Sequence, residues 1–216
     1  MKKILHFDKN AIDGMEKRFR ANFINSVTGY KSANLLGTID KQGITNLAVF
    51  SSITHLGSHP ALIGFVTRPT VVPRHTYANI KNTGVFTVNH IHAGIIEAAH
   101  QTSARYNPEI SEFDATGLTT EFIKESKAPF VKEAHIKIAC RYVNEYPIQE
   151  NGTLLVIGAI EDIYLPEDIH AEDGWIDLGK TRGVTINGLD SYAEPQLLDR
   201  LQYAKPGVPT TSILKK

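Results

Sequence analysis

The feature that most constrains the fold is a pair of strand-rich regions that lie far apart in this 216-residue chain. The pattern of residues 33–52 predicts two strands joined by a turn at residues 41–43, and the pattern of residues 136–163 predicts two longer strands. Further strand patterns lie between them at residues 62–67 and 84–90. About six strands without a regular alternation of strand and helix argue against a doubly wound parallel sheet. They favour an antiparallel barrel or sandwich closed by Greek-key-like connections.

The helical patterns are short and lie outside these strands. Apolar residues recur at spacings of three and four from about Asn10 to Val27, which predicts an amphipathic helix. Shorter patterns predict helices at residues 77–82 and around residues 95–105, followed by a polar, loop-like stretch at 107–120. The sequence therefore predicts a mainly β protein with short peripheral helices.

The last part of the chain differs from the rest. From about Tyr192 it carries Pro195, Pro206 and Pro209 around one helix pattern at residues 196–201. We expect this C-terminal extension, from about residue 190, to wrap over the domain or over a partner subunit. Since no linker or repeat divides the chain, we expect residues 1–216 to form a single domain.

Composition excludes several classes of function. The 23 Lys and Arg residues balance 23 Asp and Glu residues without a basic block, so we expect no nucleic-acid partner and no anionic membrane surface. No apolar run approaches the length of a membrane span. The single cysteine, Cys140, excludes a disulfide framework and thiolate-rich metal sites, and suits a reducing compartment. We therefore expect a cytoplasmic protein.

The nearest approach to a metal-binding pattern is a group of His90, His92, Glu97 and His100. His90 and His92 would share one face of a strand end, and Glu97 and His100 are three residues apart on a possible helix. Scattered histidines that are satisfied by backbone hydrogen bonds are more common than such a site. We expect no metal.

A stronger signal lies between residues 46 and 79. The run from Asn46 to Ser52 offers small side chains, amides and hydroxyls along which a flat ligand could lie. Downstream, Arg68 follows a strand pattern, and residues 74–76 (Arg-His-Thr) precede a short helix. Cationic groups at a helix N-terminus form an anion site. The alternative is that Thr76 merely caps the helix and the arginines are solvated.

These residues also resemble a known family. The segments 45–54, 59–65, 68–69, 74–80 and 83–89, in that order and spacing, are similar to flavin reductase-like FMN-binding proteins, the flavoredoxins among them. The resemblance covers about residues 20–186. It implies a split β-barrel, a Greek-key barrel of about six strands, that forms a homodimer with FMN at the subunit interface.

The resemblance also implies which residues contact the cofactor. The positions expected at the isoalloxazine ring and ribityl chain are Asn46, Leu47, Ala48, Ser51 and Ser52. The positions expected at the phosphate end are Arg68, His75 and Thr76. Arg74 is expected there too, because its charge directly precedes His75 at the helix start. Many members of the family have proline where this chain has Val49, which bears on the individual ring contacts more than on the family.

The implied activity is that of an NAD(P)H-dependent flavin reductase. Hydride would pass from NADH or NADPH to flavin N5, and the electrons would move on to free flavin, oxygen, iron or a partner protein. No catalytic side chain is assigned, because the flavin carries the chemistry. Two alternatives stay open. One is a flavoredoxin-like FMN carrier with little pyridine-nucleotide activity, and the other is a barrel that binds haem or another flat ligand.

Overall fold

The structure, a computed structural model, describes residues 3–214 and is organised around an antiparallel sheet of seven strands. The strands of the chain are β1 (Lys31–Ser32), β2 (Asn34–Ile39), β3 (Thr45–Phe50), β4 (Thr54–Ser58), β5 (Ala61–Thr67), β6 (Val85–His90), β7 (Thr120–Glu121), β8 (Phe130–Val131), β9 (Lys137–Ile148), β10 (Thr153–Tyr164), β11 (Thr185–Asn187) and β12 (Ser191–Ala193). The helices are α1 (Lys9–Asp13), α2 (Lys17–Val27), α3 (His75–Thr83), α4 (Ile96–Gln101) and α5 (Glu112–Thr116).

The strand order in the large sheet is β3-β2-β6-β9-β10-β5-β4. All neighbours pair antiparallel, and β6 lies between β2 and β9 while β5 pairs with β10. The two strand-rich regions of the sequence are therefore joined through the strands that lie between them in the chain. This strand order confirms the predicted mainly β fold, and it confirms that long connections link strands that are neighbours in the sheet.

The sheet curls around an apolar interior, and α3 contributes one residue to it. The fully or nearly buried residues of this interior are Leu36, Ile63, Phe65, Ile80, Phe86, Val88, Cys140 and Val156. Cys140 is 2% exposed, and burial raises the pKa of its thiol, so it is a core residue.

One side chain extends the β4–β5 pairing towards the end of β3. Ser52, just after β3, donates its hydroxyl proton to the Val66 carbonyl at 3.0 Å and accepts from the Val66 N–H at 3.0 Å. The hydroxyl thus does what a backbone pair does in a ladder. We call this junction the seam.

A second core covers the outer face of β2 and β3. It brings α4, α5 and β11 against the sheet through Ala33, Leu35, Leu47, Ile91, Ile95, Ala99, Phe113, Leu118, Val131, Ala134, Val184 and Ile186. Because Leu47 and Phe113 are both buried in this layer, α5 lies directly against β3.

The prediction of a single helix at residues 10–27 is wrong, because the structure has two helices there, α1 and α2. Gly14 ends α1, and the Glu16 carboxylate accepts from the N–H groups of Arg18 and Phe19 at 2.8 and 2.9 Å, which begins a new helix. An acidic N-cap favours a helix start over continuation of the previous one. The apolar stripe is real, but α2 has no buried residue.

The predicted helix at residues 196–201 is also wrong. Residues 194–200 have no regular secondary structure. Residues 200–202 pair with residues 211–213 through hydrogen bonds from the Gln202 N–H to the Thr211 carbonyl (3.0 Å) and from the Ile213 N–H to the Arg200 carbonyl (2.8 Å). A six-residue helix pattern is too short to hold without tertiary packing, and this pairing satisfies the backbone instead. We call residues 194–214 the C-terminal arm.

The sequence patterns did not predict β4. Between the two longer strands that were predicted at residues 136–163, β9 continues to Ile148 and the turn is confined to residues 149–152. Pro147 lies within β9, opposite Leu154. Within residues 3–214, no helix combines the length and the hydrophobicity that crossing a bilayer requires.

Candidate functional site

The candidate site begins at the free edge of β3. β3 ends the seven-stranded order and pairs only with β2 within the large sheet. The Leu47 N–H points away from β2 and donates to a carboxylate oxygen of Glu112 at 2.9 Å. Because edge-facing groups alternate along an antiparallel strand, the Val49 N–H faces the same edge. This edge therefore offers backbone donors beside the residues expected at the ring.

A buried hydrogen bond connects β3 to α3. The Asn46 side-chain amide donates to the Thr76 hydroxyl at 3.1 Å, and each residue is 7% exposed. Two residues predicted from the sequence for opposite ends of one ligand are thus in contact in the structure.

The start of α3 carries no side-chain cap. Its N-cap residue is Arg74, which makes no capping hydrogen bond from its side chain, and Thr76 lies within the first turn. The alternative that Thr76 merely caps the helix is therefore wrong. The N–H groups of an uncapped first turn and the helix dipole together favour an anion.

Two arginines flank this helix start. Arg74 is half-buried, and its Nε is buried without a hydrogen-bond partner among residues 3–214. Arg68 is exposed directly after β5, at the other end of the loop that leads to α3. A buried guanidinium nitrogen without an acceptor fits an anionic ligand that supplies one. The residues present therefore fit a phosphate.

The residues expected at the ring are placed differently from one another. Ala48 and Ser51 are half-buried, whereas the Leu47 side chain is fully buried in the outer core, so only its backbone faces the edge. Ser52 uses its hydroxyl to close the seam. Direct contact of these residues with a ring stays a prediction.

Glu112 also lies at this site, and the sequence patterns did not predict it. It is 7% exposed, and burial raises the pKa of its carboxyl, whereas the Leu47 N–H and the nearby positive charge of His75 lower it. The preceding residue, Ser111, bonds to the Thr45 hydroxyl at 2.7 Å. An acidic residue in a polar stretch carries no local signal that it will be buried.

The site is open rather than enclosed. A small cavity of about 90 Å³ beside the first turn of α3 is lined in part by Asn46 and His75. A larger cavity of about 750 Å³ lies elsewhere, against Cys140, Glu161 and Tyr164, and none of the nine predicted cofactor residues lines it. The predicted residues thus lie at a surface and not in the larger cavity.

The side chains of two of the three histidines of the possible metal pattern have other partners. A ring nitrogen of His92 lies 3.1 Å from the Glu133 carbonyl, and a ring nitrogen of His100 lies 3.1 Å from the Tyr192 hydroxyl. Within residues 3–214, no group of three or more His, Cys, Asp or Glu side chains could hold a metal ion.

Comparison with known proteins identifies a family model and solved structures that are similar to this chain. Residues 29–184 match the family model described as the flavin reductase like domain. A split barrel domain protein from Shewanella frigidimarina NCIMB 400 is 50% identical and covers 93% of this chain and 100% of its own, with a TM-score of 0.90. The split barrel architecture predicted above is thereby confirmed.

Two more distant structures share the fold. Nitrilotriacetate monooxygenase component B from Bacillus cereus is 20% identical, with a TM-score of 0.80 over 93% of this chain and 100% of its own. The flavoredoxin of Desulfovibrio vulgaris (Miyazaki F) is 22% identical, with a TM-score of 0.68 over 82% of this chain and 91% of its own. At these identities the likeness supports the fold alone.

Proposed function

The chain belongs to the flavin reductase like domain family, and from that premise we propose that it binds FMN and acts as an NAD(P)H-dependent flavin reductase. Bound FMN would supply the redox chemistry: hydride from NADH or NADPH would be accepted at N5, and the two electrons would go on to free flavin, oxygen, iron or a partner protein. The side chains and backbone of this chain bind and orient the cofactor.

The observation that carries the proposal is the helix start beside Arg74. Its buried Nε lacks an acceptor among residues 3–214, and the first turn of α3 has no side-chain cap. A phosphate at this point would satisfy both, with Arg68 and His75 supplying further charge at its rim. Thr76 is held in place here by Asn46.

The ring end of the cofactor would lie along the free edge of β3. From the phosphate end at α3, the Asn46–Thr76 contact leads directly to this edge. The Val49 N–H could donate to the pyrimidine side of the ring, where negative charge develops on reduction. Ala48 presents a small side chain, so a flat ring can approach the strand closely.

We further propose that the protein is a homodimer with FMN near the interface. Ligand sites bury most of a ligand's surface, and the open site on one subunit leaves the ring uncovered. The chain exposes 14047 Å², whereas a folded monomer of this mass exposes roughly 10,000 Å². Interface areas are counted over both partners, so covering half of this excess of roughly 4,000 Å² on each chain would bury about 4,000 Å² in total, which is in the range of obligate dimers.

The exposed apolar residues indicate which surfaces the second copy covers. On α2, Phe19 and Val27 are 57% and 67% exposed, and the Phe19 ring stacks on Phe23 at a centroid distance of 6.0 Å. On the C-terminal arm, Leu198 and Tyr203 are 87% and 91% exposed. Aromatic and aliphatic clusters of this kind are typical of interface cores.

The decisive experiment is a spectrum followed by a turnover assay. Purified protein incubated with FMN and desalted should keep the yellow flavin spectrum, and should oxidise NADH or NADPH when an electron acceptor is present. Protein that stays colourless would refute FMN binding. Protein that is yellow but oxidises neither nucleotide would refute the reductase and support a flavoredoxin-like carrier.

We propose that the protein is cytoplasmic, because its single, buried cysteine suits a reducing compartment.

A further inference from the structure

A buried carboxyl group lies at the edge where the flavin ring is expected. Two consecutive residues fasten α5 to β3: the Ser111 hydroxyl bonds to the Thr45 hydroxyl at 2.7 Å, and the Glu112 carboxylate accepts from the Leu47 N–H at 2.9 Å. Phe113, 1% exposed, anchors the same turn in the outer core. Glu112 is therefore held in one position.

The Glu112 contact sits beside the Asn46–Thr76 bond. Leu47 follows Asn46 in β3, so adjacent residues of one strand are tied to α5 through the backbone and to α3 through a side chain. The β2 ladder holds Val49 from one side, opposite Leu35, and these two ties hold the other side of β3, where it has no strand partner in the large sheet.

The charge of Glu112 is poorly screened. Water is excluded from its side chain, and a charge acts more strongly in such surroundings than in solvent. From α3, the charge of His75 favours the ionised carboxylate. On the neighbouring α4, the Glu97 side chain is exposed, and a ring nitrogen of His100 lies within hydrogen-bond distance of the Tyr192 hydroxyl.

We propose that Glu112 is a positioning residue of the flavin site, which fixes the free edge of β3 and whose negative charge opposes the gain of electrons by the bound flavin. The proposal rests on FMN binding as proposed above. Glu112 would then influence the reduction of the flavin at the ring end of the site, separately from the residues that bind the phosphate.

Glu112→Gln tests the charge while keeping an oxygen that can accept from the Leu47 N–H. The midpoint potential of bound FMN should rise, because the reduced flavin no longer meets a buried negative charge. We expect the ratio of affinities for reduced and oxidised FMN to increase about tenfold, which is about 30 mV for a two-electron couple. Affinity for oxidised FMN should change less than that.

The matched control is Glu133→Gln. The Glu133 carboxylate accepts from the Thr119 N–H at 3.1 Å, the same kind of contact, but outside the candidate site. Its replacement should leave the potential unchanged. A pH series adds a second readout: the difference between wild type and Glu112→Gln should disappear as the pH falls through the carboxyl pKa, which lies above the ordinary value of 4.5.

The outcomes separate the two proposals. Wild-type protein that binds no FMN refutes the proposed function. Wild-type protein that binds FMN, with the same potential in Glu112→Gln as in wild type and Glu133→Gln, overturns the role of Glu112 and leaves the function standing. A higher potential in Glu112→Gln with a pH-independent difference overturns the charge effect, since a protonated carboxyl could not sustain it.

Discussion

The Asn46 amide and the Thr76 hydroxyl are joined by a buried hydrogen bond of 3.1 Å that connects a strand to a helix start thirty residues later. Neither group can exchange this partner for water without opening the packing around it. The bond therefore fixes the helix start, where a phosphate is expected, relative to the strand edge, where a ring is expected.

Replacing Thr76 by Val should reduce both stability and FMN affinity. The change leaves the Asn46 amide buried without an acceptor, which costs about 1–3 kcal/mol of unfolding free energy, measured by urea denaturation. FMN affinity should fall by about tenfold or more in a fluorescence titration. The matched control is Thr38→Val, which breaks the 3.2 Å bond from Asn79 in the same helix. A similar loss of FMN affinity in both variants would contradict a local role for Thr76.

Replacing Arg68 or Arg74 by Ala should weaken binding of FMN but not of riboflavin, because only FMN carries the phosphate. Charge-assisted hydrogen bonds contribute about 1.5–3 kcal/mol, so we expect a ten- to hundredfold loss. Arg141→Ala is the control, since Arg141 pairs with Glu161 at 2.8 Å on the sheet. If FMN and riboflavin lose affinity equally, the arginines are structural.

Placing a charge on either apolar surface should dissociate the dimer. In Phe19→Asp and Tyr203→Asp, a carboxylate would be buried between subunits, so we expect dimer dissociation constants at least about 100-fold higher by sedimentation velocity. Val71→Asp, 91% exposed like Tyr203 but on the loop before α3, should remain dimeric. Circular dichroism checks that each variant is folded. Wild-type protein that sediments as a monomer would refute the arrangement.

Mild acid should destabilise the fold through His90. Desolvation lowers its pKa from 6.5 to about 4, so the folded state holds the neutral ring. This stability is fully present above the unfolded pKa and is lost as the pH falls from about 6.5 towards 4. Between about pH 7.5 and about pH 5 the loss should be about 2 kcal/mol.

Urea denaturation at the two pH values tests this. His90→Gln should lose about 2 kcal/mol less than wild type over the same interval, because glutamine does not titrate. His55→Gln, at an exposed position of β4, should behave as wild type. An equal pH dependence in His90→Gln and wild type would mean that the ring is not the group responsible.

Local patterns predicted the strands well because a strand pattern is a property of neighbouring residues. The runs that became β2, β3, β5 and β6 were all predicted from such patterns, which alternate in β6 and are almost continuously apolar in β5. Interactions between distant residues were not recognisable in this way. Glu112 is buried because α5 packs on β3, sixty-five residues earlier, and Leu201 pairs with Ser212 instead of continuing a helix. The Arg74–Thr76 run was found because cationic residues before a helix have a local chemical meaning.

Ser52 makes the seam the part of the β4–β5 junction that opens first. The Val66 N–H depends there on a side-chain hydroxyl, whereas main-chain groups pair β4 with β5 from Thr54 onwards. Rotation of this one side chain frees the Val66 N–H while the β4–β5 and β5–β10 ladders stay paired, so the Val66 amide should exchange with solvent faster than its neighbours. The barrel thus loosens at one point beside the end of β3 while its ladders stay intact.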